Sequence, residues 1–390
     1  MELQQPRRPV LDTSGLMPYP QAMRIGLDAR MAYYSTAGLG RYINGLLGGL
    51  ISLDQKNQYT IYRSRKDRQV YQLPPNFRTR SLWTPCHHQW EQQALPLELA
   101  FSRLDILHSP DFIPPLRRLC RSVITVHDLA FLRYPQFLTA ESRRYYGQIR
   151  SAVKSANAII AVSEATKRDL EELLGVPGDK ITVVYEAPAP LFRPLGESET
   201  GIPARVKDLP RPFLLFVGTL EPRKNLPALL HALALIKAER GAKSPRLVLV
   251  GGKGWLYQES LDLIGQLDLS EQTTMLGPAT PEELLWLYNR AEVLVMPSFY
   301  EGFGLPVVEA MACGTPVVVS QTSSLPEVAG DAALMVEPSD SKGLARAICR
   351  VLDEEALRSA MRQAGLRQAA RFTWDGAARE TLKVYQDTAS

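Results

Sequence analysis

Two glutamates flank a glycine-rich turn in the second half of the chain. Residues 298–320 read S-F-Y-E-G-F-G-L-P-V-V-E-A-M-A-C-G-T-P-V-V-V-S, and Glu301 and Glu309 are the two carboxylates. The preceding apolar run predicts a buried strand. Pro306 suits the first turn of a helix, because its missing N–H would have no partner there. The free N–H groups of that helix start favour an anion such as pyrophosphate. The alternative is an ordinary strand–loop–helix crossover with two solvated glutamates.

A second motif pairs two cations with a predicted helix start. Residues 216–225 read F-V-G-T-L-E-P-R-K-N, so Arg223 and Lys224 follow a strand and Gly218. We expect Asn225 to cap the next helix. Arginine can hold phosphate oxygens as a fork and lysine as a point charge. The alternative is a solvated basic turn.

Two further candidates lie in the first half of the chain. Gly38 and Gly40 belong to the short loop A-G-L-G-R after the first predicted strand, where a simple tight turn is the alternative. His127 ends the apolar run 123–126, and the end of such a strand faces the cleft of an open α/β sheet. A structural, hydrogen-bonded histidine is the alternative there.

These motifs resemble those of glycosyltransferase family 4, the retaining group 1 enzymes of GT-B fold. The resemblance rests on V-G-T-L-E-P-R-K-N together with E-G-F-G-L-P-V-V-E-A-M-A-C-G-T-P-V-V, and it extends from about Met23 to the C-terminus. The stretches I-G-L-D-A-R, T-V-H-D-L and I-A-V-S-E-A-T of the first half are similar to the same family.

The resemblance implies transfer of a hexose from a nucleotide sugar to an acceptor hydroxyl with retention. It implies that His127 contacts the donor sugar, that Glu301 holds it, and that Glu309 binds the ribose. The catalytic set would be His127, Glu301, Arg223 and Lys224. The donor-binding set would be Gly38, Gly40, Gly218, Arg223, Lys224, Gly302, Phe303, Gly304, Leu305 and Glu309.

The segment H-D-L-A-F-L-R-Y-P, residues 127–135, is most similar to bacterial mannosyltransferases of surface-polysaccharide assembly. GDP-mannose is therefore the first expected donor, with a glycan or lipid-linked acceptor. Two alternatives stay open: a GT-B sugar-nucleotide epimerase and a non-catalytic nucleotide-sugar-binding partner. The chain has no D-x-D pair, so we predict phosphate neutralisation by cations and a helix start, with neither metal nor cofactor.

Composition favours a globular, cytoplasmic protein. The sequence has no apolar run near the roughly 20 residues of a membrane span and no export signal. Its four cysteines lack metal-like spacing and should be free thiols.

The charge is uneven along the chain. Residues 1–200 hold 25 Lys/Arg against 19 Asp/Glu, while the whole chain has a net charge of +4. The basic residues cluster at 63–68, 117–121 and 143–150. These clusters are either solvated, or they contact anionic lipid at the inner face of the membrane or a phosphorylated acceptor. The mild charge and lack of a binding module argue against nucleic acid.

Alternating strands and helices predict an α/β protein with two facing Rossmann-like domains, parallel sheets and a cleft between them. We expect a disordered tail (1–22), an acceptor-side domain (23–186), a linker (187–212), a nucleotide-sugar-binding domain (213–370) and a C-terminal helix (371–390). The resemblance implies that this last helix packs back on the first domain.

Overall fold

The computed structural model describes residues 22–35, 38–137, 143, 145–196, 199, 201–254 and 256–389. The predicted tail lies outside these residues except for Ala22. Within the described residues, no helix combines the length and apolarity needed to cross a bilayer.

The first sheet has seven parallel strands in the order β3-β2-β1-β4-β5-β6-β7. Its strands are β1 (Arg24–Asp28), β2 (Gln58–Ser64), β3 (Phe77–Leu82), β4 (Ile106–Ser109), β5 (Arg121–Val126), β6 (Ala158–Ala161) and β7 (Ile181–Val183). The second sheet has six parallel strands in the order β10-β9-β8-β11-β12-β13. Its strands are β8 (Phe213–Val217), β9 (Arg246–Val250), β10 (Thr273–Gly277), β11 (Val293–Met296), β12 (Val317–Ser320) and β13 (Ala333–Val336). The predicted fold class is confirmed.

Helices cover the faces of both sheets. In the first half they are Met31–Tyr34, Gly38–Leu53, Glu91–Leu99, Ala130–Arg133, Ile149–Ser155 and Glu164–Leu174. In the second half they are Ala204–Lys207, Leu226–Arg240, Gln258–Gln266, Pro281–Arg290, Leu305–Ala312, Leu325–Ala329, Ser341–Asp353, Glu355–Ala369 and Trp374–Ala389.

The sequence pattern predicts neither β3 nor the helix Glu91–Leu99, and both lack a clean apolar pattern. It also misses four helices of four or five residues, namely Met31–Tyr34, Ala130–Arg133, Ala204–Lys207 and Leu325–Ala329. Strand β3 reads F-R-T-R-S-L and buries only its two ends, because it is the edge strand of the sheet. The helix Glu91–Leu99 contains Pro96 and buries only Glu91 and Leu95. Its remaining apolar side chains therefore form no stripe toward the core.

Each sheet has one point at which the order of its strands reverses. In each sheet the first strand lies between its two halves, with β1 between β2 and β4, and β8 between β9 and β11. Ligands of open α/β sheets bind beyond the carboxyl ends of strands at such reversals. The loops after β1, β4, β5, β8 and β11 are therefore the ones expected to carry a site.

The C-terminal helix Trp374–Ala389 packs against the helix Gly38–Leu53 and against β5. Tyr385 reaches the buried ring of His108, with its hydroxyl 2.6 Å from Nδ1. Burial lowers the pKa of His108 to about 3, so the ring is neutral. This helix thus packs into the core of the first domain. The bounds of the linker at 187–212 stay a prediction.

Close approach of these two helices depends on small residues. A methyl group on Gly49 would lie 2.4 Å from the carbonyl oxygen of Trp374, whereas one on Gly48 would have no atom within 4 Å. We expect Gly49→Ala to destabilise the protein by about 1–3 kcal/mol through overpacking. Gly48→Ala is the matched control and should stabilise by up to about 1 kcal/mol, because alanine loses less backbone entropy in a helix. Chemical denaturation measures both, and equal stability of the two variants would contradict the packing argument.

Candidate active site

A cleft of about 510 Å³ lies between the two domains. It is lined by the loops after β1, β4, β5, β7, β8, β9, β10 and β11. Most predicted site residues line it, namely Gly38, His127, Gly218, Arg223, Lys224, Glu301, Gly302, Phe303, Gly304 and Leu305. Gly40 and Glu309 are not among the lining residues. Gly40 is instead packed under the carbonyl of Ser35.

A buried ion cluster holds Glu301 at the centre of the cleft. The ammonium of Lys224 donates to both of its carboxylate oxygens at 2.7 and 2.8 Å. The Arg223 guanidinium donates to Oε2 at 3.1 Å and the Ser298 hydroxyl to Oε1 at 2.6 Å. Arg223 also pairs with Glu221 at 2.7 Å. Arg223 and Lys224 therefore pair with Glu221 and Glu301, and each of these buried charges has a partner of opposite sign.

The ion cluster controls the protonation of Glu301. Burial alone would raise the pKa of the carboxyl, but the charges of Lys224 and Arg223 outweigh it and hold the pKa at about 2. Glu301 is consequently ionised, weakly basic and a weak nucleophile at neutral pH.

Two serines after β12 brace the loop that carries Glu301. The Ser323 hydroxyl accepts a hydrogen bond from the backbone N–H of Glu301 at 2.8 Å. The Ser324 hydroxyl donates to the carbonyls of Glu301 and Phe303 at 3.0 and 2.9 Å. Sequence reasoning missed both serines. The signal was the polar run Q-T-S-S directly after a buried strand.

Asn225 differs from the expected cap. Its backbone is left-handed, and its side chain makes no cap to the helix Leu226–Arg240. The amide instead donates to the carbonyls of Pro297 and Pro338 at 2.9 and 2.8 Å. The prediction of a side-chain N-cap is wrong, because two loop carbonyls compete for the same amide and fix the turn that carries Arg223 and Lys224.

Gly302 is where the two domains touch. A Cβ atom at this position would lie 1.8 Å from the carbonyl oxygen of His127. The hydroxyl of Ser163 donates to the Gly302 carbonyl at 2.6 Å. Any larger residue at position 302 would push the domains apart. The absence of a side chain on Gly302 therefore lets its backbone pack against the His127 backbone of the first domain.

His127 lines the cleft, but both of its ring nitrogens have protein partners. Nδ1 lies 2.9 Å from a Glu186 oxygen and Nε2 lies 2.8 Å from the Pro110 carbonyl. Burial disfavours the imidazolium, yet the hydrogen bond and charge of Glu186 raise the pKa of His127 above its ordinary value. Two acceptors around one ring fit the doubly protonated form. Contact between its ring and a donor sugar stays a prediction.

Glu309 is buried behind the cleft. One oxygen accepts from Arg41 of the first domain at 2.6 Å and the other from the Tyr288 hydroxyl at 2.8 Å. Burial raises the pKa of Glu309 even though Arg41 opposes the shift. Both oxygens are therefore engaged, and its predicted role toward a ribose requires an exchange of partners.

The first-domain wall carries a polar group that sequence reasoning missed. The Asp111 carboxylate lies 2.6 Å from Nε2 of His87 and accepts from the Tyr145 hydroxyl at 2.7 Å. All three residues line the cleft. Asp111 could have been found from its position just after β4, but nothing in the sequence marks His87.

The described part of the chain contains neither a cluster of metal ligands nor a disulfide. Among the described residues, no group of three or more histidine, cysteine, aspartate or glutamate side chains could hold a metal ion. All four cysteines are free thiols, as predicted.

Comparison with known proteins places the chain in a family. Residues 36–187 match Glycosyltransferase Family 4 and residues 198–368 match Glycosyl transferases group 1. The chain is 34% identical to an O-antigen chain mannosyltransferase B of Escherichia coli, over 72% of this chain and 74% of that protein. It belongs to glycosyltransferase family 4.

Other relatives of this glycosyltransferase agree with that membership. It is 31% identical to the serotype-specific mannosyltransferase WbdA of Escherichia coli, over 68% of this chain and 33% of that longer protein. Its fold matches sucrose-phosphate synthase from Thermosynechococcus elongatus with a TM-score of 0.76, 22% identity and coverage of 94% and 98% of the two chains. The two-domain architecture is thus the GT-B fold.

The low pKa of Glu301 predicts a pH-dependent stability. Its pKa is about 2 in the folded protein against an ordinary value of 4.5. At about 1.4 kcal/mol per pKa unit, ionisation contributes about 3 kcal/mol above pH 5, and this is lost as the pH falls through 4.5 toward 2. We expect the wild type to lose about 2 kcal/mol more than Glu301→Gln between about pH 6 and about pH 3. Denaturant titrations at both pH values measure this, and parallel losses in the two proteins would contradict the ion cluster.

Proposed function

We propose that this glycosyltransferase moves a hexose from a nucleotide sugar to an acceptor hydroxyl with retention, in polysaccharide or glycolipid assembly. Mannose from GDP-mannose is the proposed donor, because the relatives named above are mannosyltransferases. The observation that carries the proposal is the pair of cations on Glu301, held at the carboxyl edge of the second sheet and facing the first domain across the cleft.

Arg223 and Lys224 would stabilise the leaving diphosphate. Negative charge grows on that group as the bond from the sugar carbon to the phosphate oxygen breaks, and preorganised cations in a buried site act strongly on such charge. The N–H groups at the start of the helix Leu305–Ala312 would add to this field, since Gly304 and Leu305 line the cleft.

Glu301 would orient the sugar and not attack it. A carboxylate with a pKa of about 2 and both oxygens on Lys224 is a poor nucleophile. We favour a same-face reaction. In it the acceptor oxygen bonds to the sugar carbon while the phosphate departs, and the acceptor proton passes to the departing phosphate oxygen.

The nucleotide would lie along the second sheet. Gly251 and Gly252 after β9, and Pro278 and Ala279 after β10, line that part of the cleft and would flank the base. Glu309 would bind ribose hydroxyls once Arg41 releases one carboxylate oxygen. The acceptor would approach the opposite wall, where His87 and Asp111 offer hydrogen-bonding groups.

Thermal shift with GDP-mannose, UDP-glucose and the free nucleotides tests the donor. A ligand at about 100 Kd should add about 2.7 kcal/mol to stability, and we expect the largest effect from GDP-mannose. Incubation of GDP-mannose without acceptor tests the epimerase alternative, because an epimerase would release a rearranged sugar and a transferase would not.

We expect Lys224→Ala to lower kcat by about 10²–10³-fold, the usual cost of losing one such stabilising group. Lys237→Ala is the control, because Lys237 pairs with Asp268 on the surface of the same domain and should leave kcat unchanged. Radiolabelled mannose transfer measures both variants. A Lys224→Ala enzyme within twofold of the wild type would remove this cation from the mechanism.

Activity should persist in EDTA, because we assign charge neutralisation to Arg223, Lys224 and backbone N–H groups. The measurement is transfer from GDP-mannose before and after chelation. Complete loss that Mg²⁺ or Mn²⁺ restores would refute the assignment.

A further inference from the structure

The helix Glu91–Leu99 and the residues that flank it turn apolar side chains to solvent. Trp90 is 60% exposed, Leu97 is 74% exposed and Phe101 is 88% exposed. Their spacing of seven and four residues puts them on one face, opposite Leu95, which is buried. Such a stripe on a helix normally faces a core.

Trp83 extends this stripe toward the edge strand. Its side chain is 71% exposed, and its backbone N–H donates to the Glu98 carboxylate of the helix at 2.7 Å. The Arg80 guanidinium of β3 donates to the Glu98 carbonyl and to Ser102, both at 3.0 Å. These hydrogen bonds join the end of the strand to the helix. We call Trp83, Trp90, Leu97 and Phe101 with the adjacent cations the Trp83–Phe101 surface.

Cations surround the four apolar side chains. Residues 63–103 hold seven Lys/Arg and three Asp/Glu. All three acids are engaged: Asp67 lies 3.6 Å from Arg63, Glu91 is buried with Arg30, and Glu98 accepts backbone N–H groups. The Arg65 guanidinium lies 4.4 Å over the Trp83 ring. The exposed cations are Arg65, Lys66, Arg68, Arg78, Arg80 and Arg103.

This exposure is confined to one part of the chain. Among the described residues, the five large apolar side chains more than 70% exposed are Val70, Trp83, Leu97, Phe101 and Leu119. All lie in the first half. Contiguous exposed apolar groups of this kind mark an interaction surface.

The combination of side chains identifies the partner. Tryptophan favours the headgroup level of a bilayer, while leucine and phenylalanine insert below it. Lysine and arginine add attraction to anionic lipid headgroups. We propose that the Trp83–Phe101 surface docks on an anionic lipid bilayer.

The same surface adjoins the cleft. The Glu91 carboxylate at the start of the helix accepts the backbone N–H of His87 at 2.8 Å, and His87 lines the cleft. Docking would bring the first-domain wall next to the headgroups, where a lipid-linked acceptor presents its sugar. This last clause rests on the proposed function; the docking itself does not.

The arginines at 117–121 are also candidates for membrane contact, but two of them are engaged within the protein. Arg118 donates to the carbonyls of Pro115 and Ser155, and Arg121 donates to the carbonyl of Thr388. Arg118 joins two parts of the first domain and Arg121 joins that domain to the C-terminal helix, so their substitution would mix a folding effect with a membrane effect.

Vesicle sedimentation of the full chain tests the proposal. We expect stronger binding to phosphatidylcholine vesicles containing phosphatidylglycerol than to phosphatidylcholine alone. Binding should fall with added salt, as the screening length shrinks from about 10 Å at 0.1 M to about 3 Å at 1 M. Brominated lipids should quench tryptophan fluorescence as Trp83 and Trp90 enter the interface.

The decisive variant is Trp90→Ser/Leu97→Ser/Phe101→Ser, which changes only exposed side chains. It should weaken vesicle binding by about tenfold or more, since each anchor loses apolar burial. Leu235→Ser/Met275→Ser is the control, because both side chains are exposed on the second domain; it should bind vesicles like the wild type. Both variants should keep the wild-type melting temperature and its shift with GDP-mannose.

Equal binding of the wild type to neutral and anionic vesicles would overturn the proposal. So would wild-type vesicle binding by the triple variant, or self-association of the wild type that the triple substitution abolishes, which would assign the surface to a second copy. No nucleotide sugar is needed for the vesicle measurement. A protein that binds vesicles but shows no thermal shift with any nucleotide sugar would refute the proposed function and leave the docking surface standing.

Discussion

The compensation of buried charge around Glu301 is the constraint on which the active site depends. A carboxylate this deep in the protein would be costly without partners. Lys224 and Arg223 supply them, and the same pairing fixes both cations in the cleft. The charge stabilisation that we propose for the reaction would thus use the same side chains that balance the buried charge of Glu301.

The ion cluster belongs to the second domain, and close packing brings the first domain against the loop that carries Glu301. The Gly302 backbone lies against the His127 carbonyl, and Ser163 ties the two segments together. Nearby, the Glu327 carboxylate of the second domain accepts the backbone N–H groups of Glu164 and Ala165, both at 3.0 Å. These are the first free N–H groups of the helix Glu164–Leu174, where negative charge is favourable. Close packing and helix capping therefore act together at one junction.

The edge of the first sheet and the cleft are two ends of one structural unit. Glu91 links them, because its carboxylate pairs with Arg30 inside the domain and accepts the N–H of His87 at the cleft. The helix that starts at Glu91 and the residues that flank it carry the exposed apolar stripe. Under the proposed docking, this link would hold a lipid-linked acceptor near the donor, because the two must come within a few ångströms to react.

Much of the fold could be predicted from local patterns. The largely apolar runs 213–217, 246–250 and 333–336 each predict a strand, and the structure has strands with the same bounds. Strands of a parallel sheet that is covered on both faces are typically such runs. The edge strand β3 and the helix Glu91–Leu99 were missed, since neither faces a core on a full side. Their residues are arranged for solvent or for a partner, and periodicity reports only burial.

The sequence alone determined the pieces of the site: Arg223, Lys224 and Glu301 stand at the ends of buried strands, and strand ends of parallel sheets converge. Only the tertiary structure decided which atoms meet. It paired Glu309 with Arg41, 268 residues away. It gave both ring nitrogens of His127 a protein partner, and it placed His87 within hydrogen-bonding distance of Asp111. The Glu309–Arg41 contact depends on the packing of one domain on the other, whereas the His127 and His87 contacts depend on the packing of loops within the first domain. Local residue types do not encode that geometry, because each side chain has several partners of suitable charge and only the fold brings one within reach.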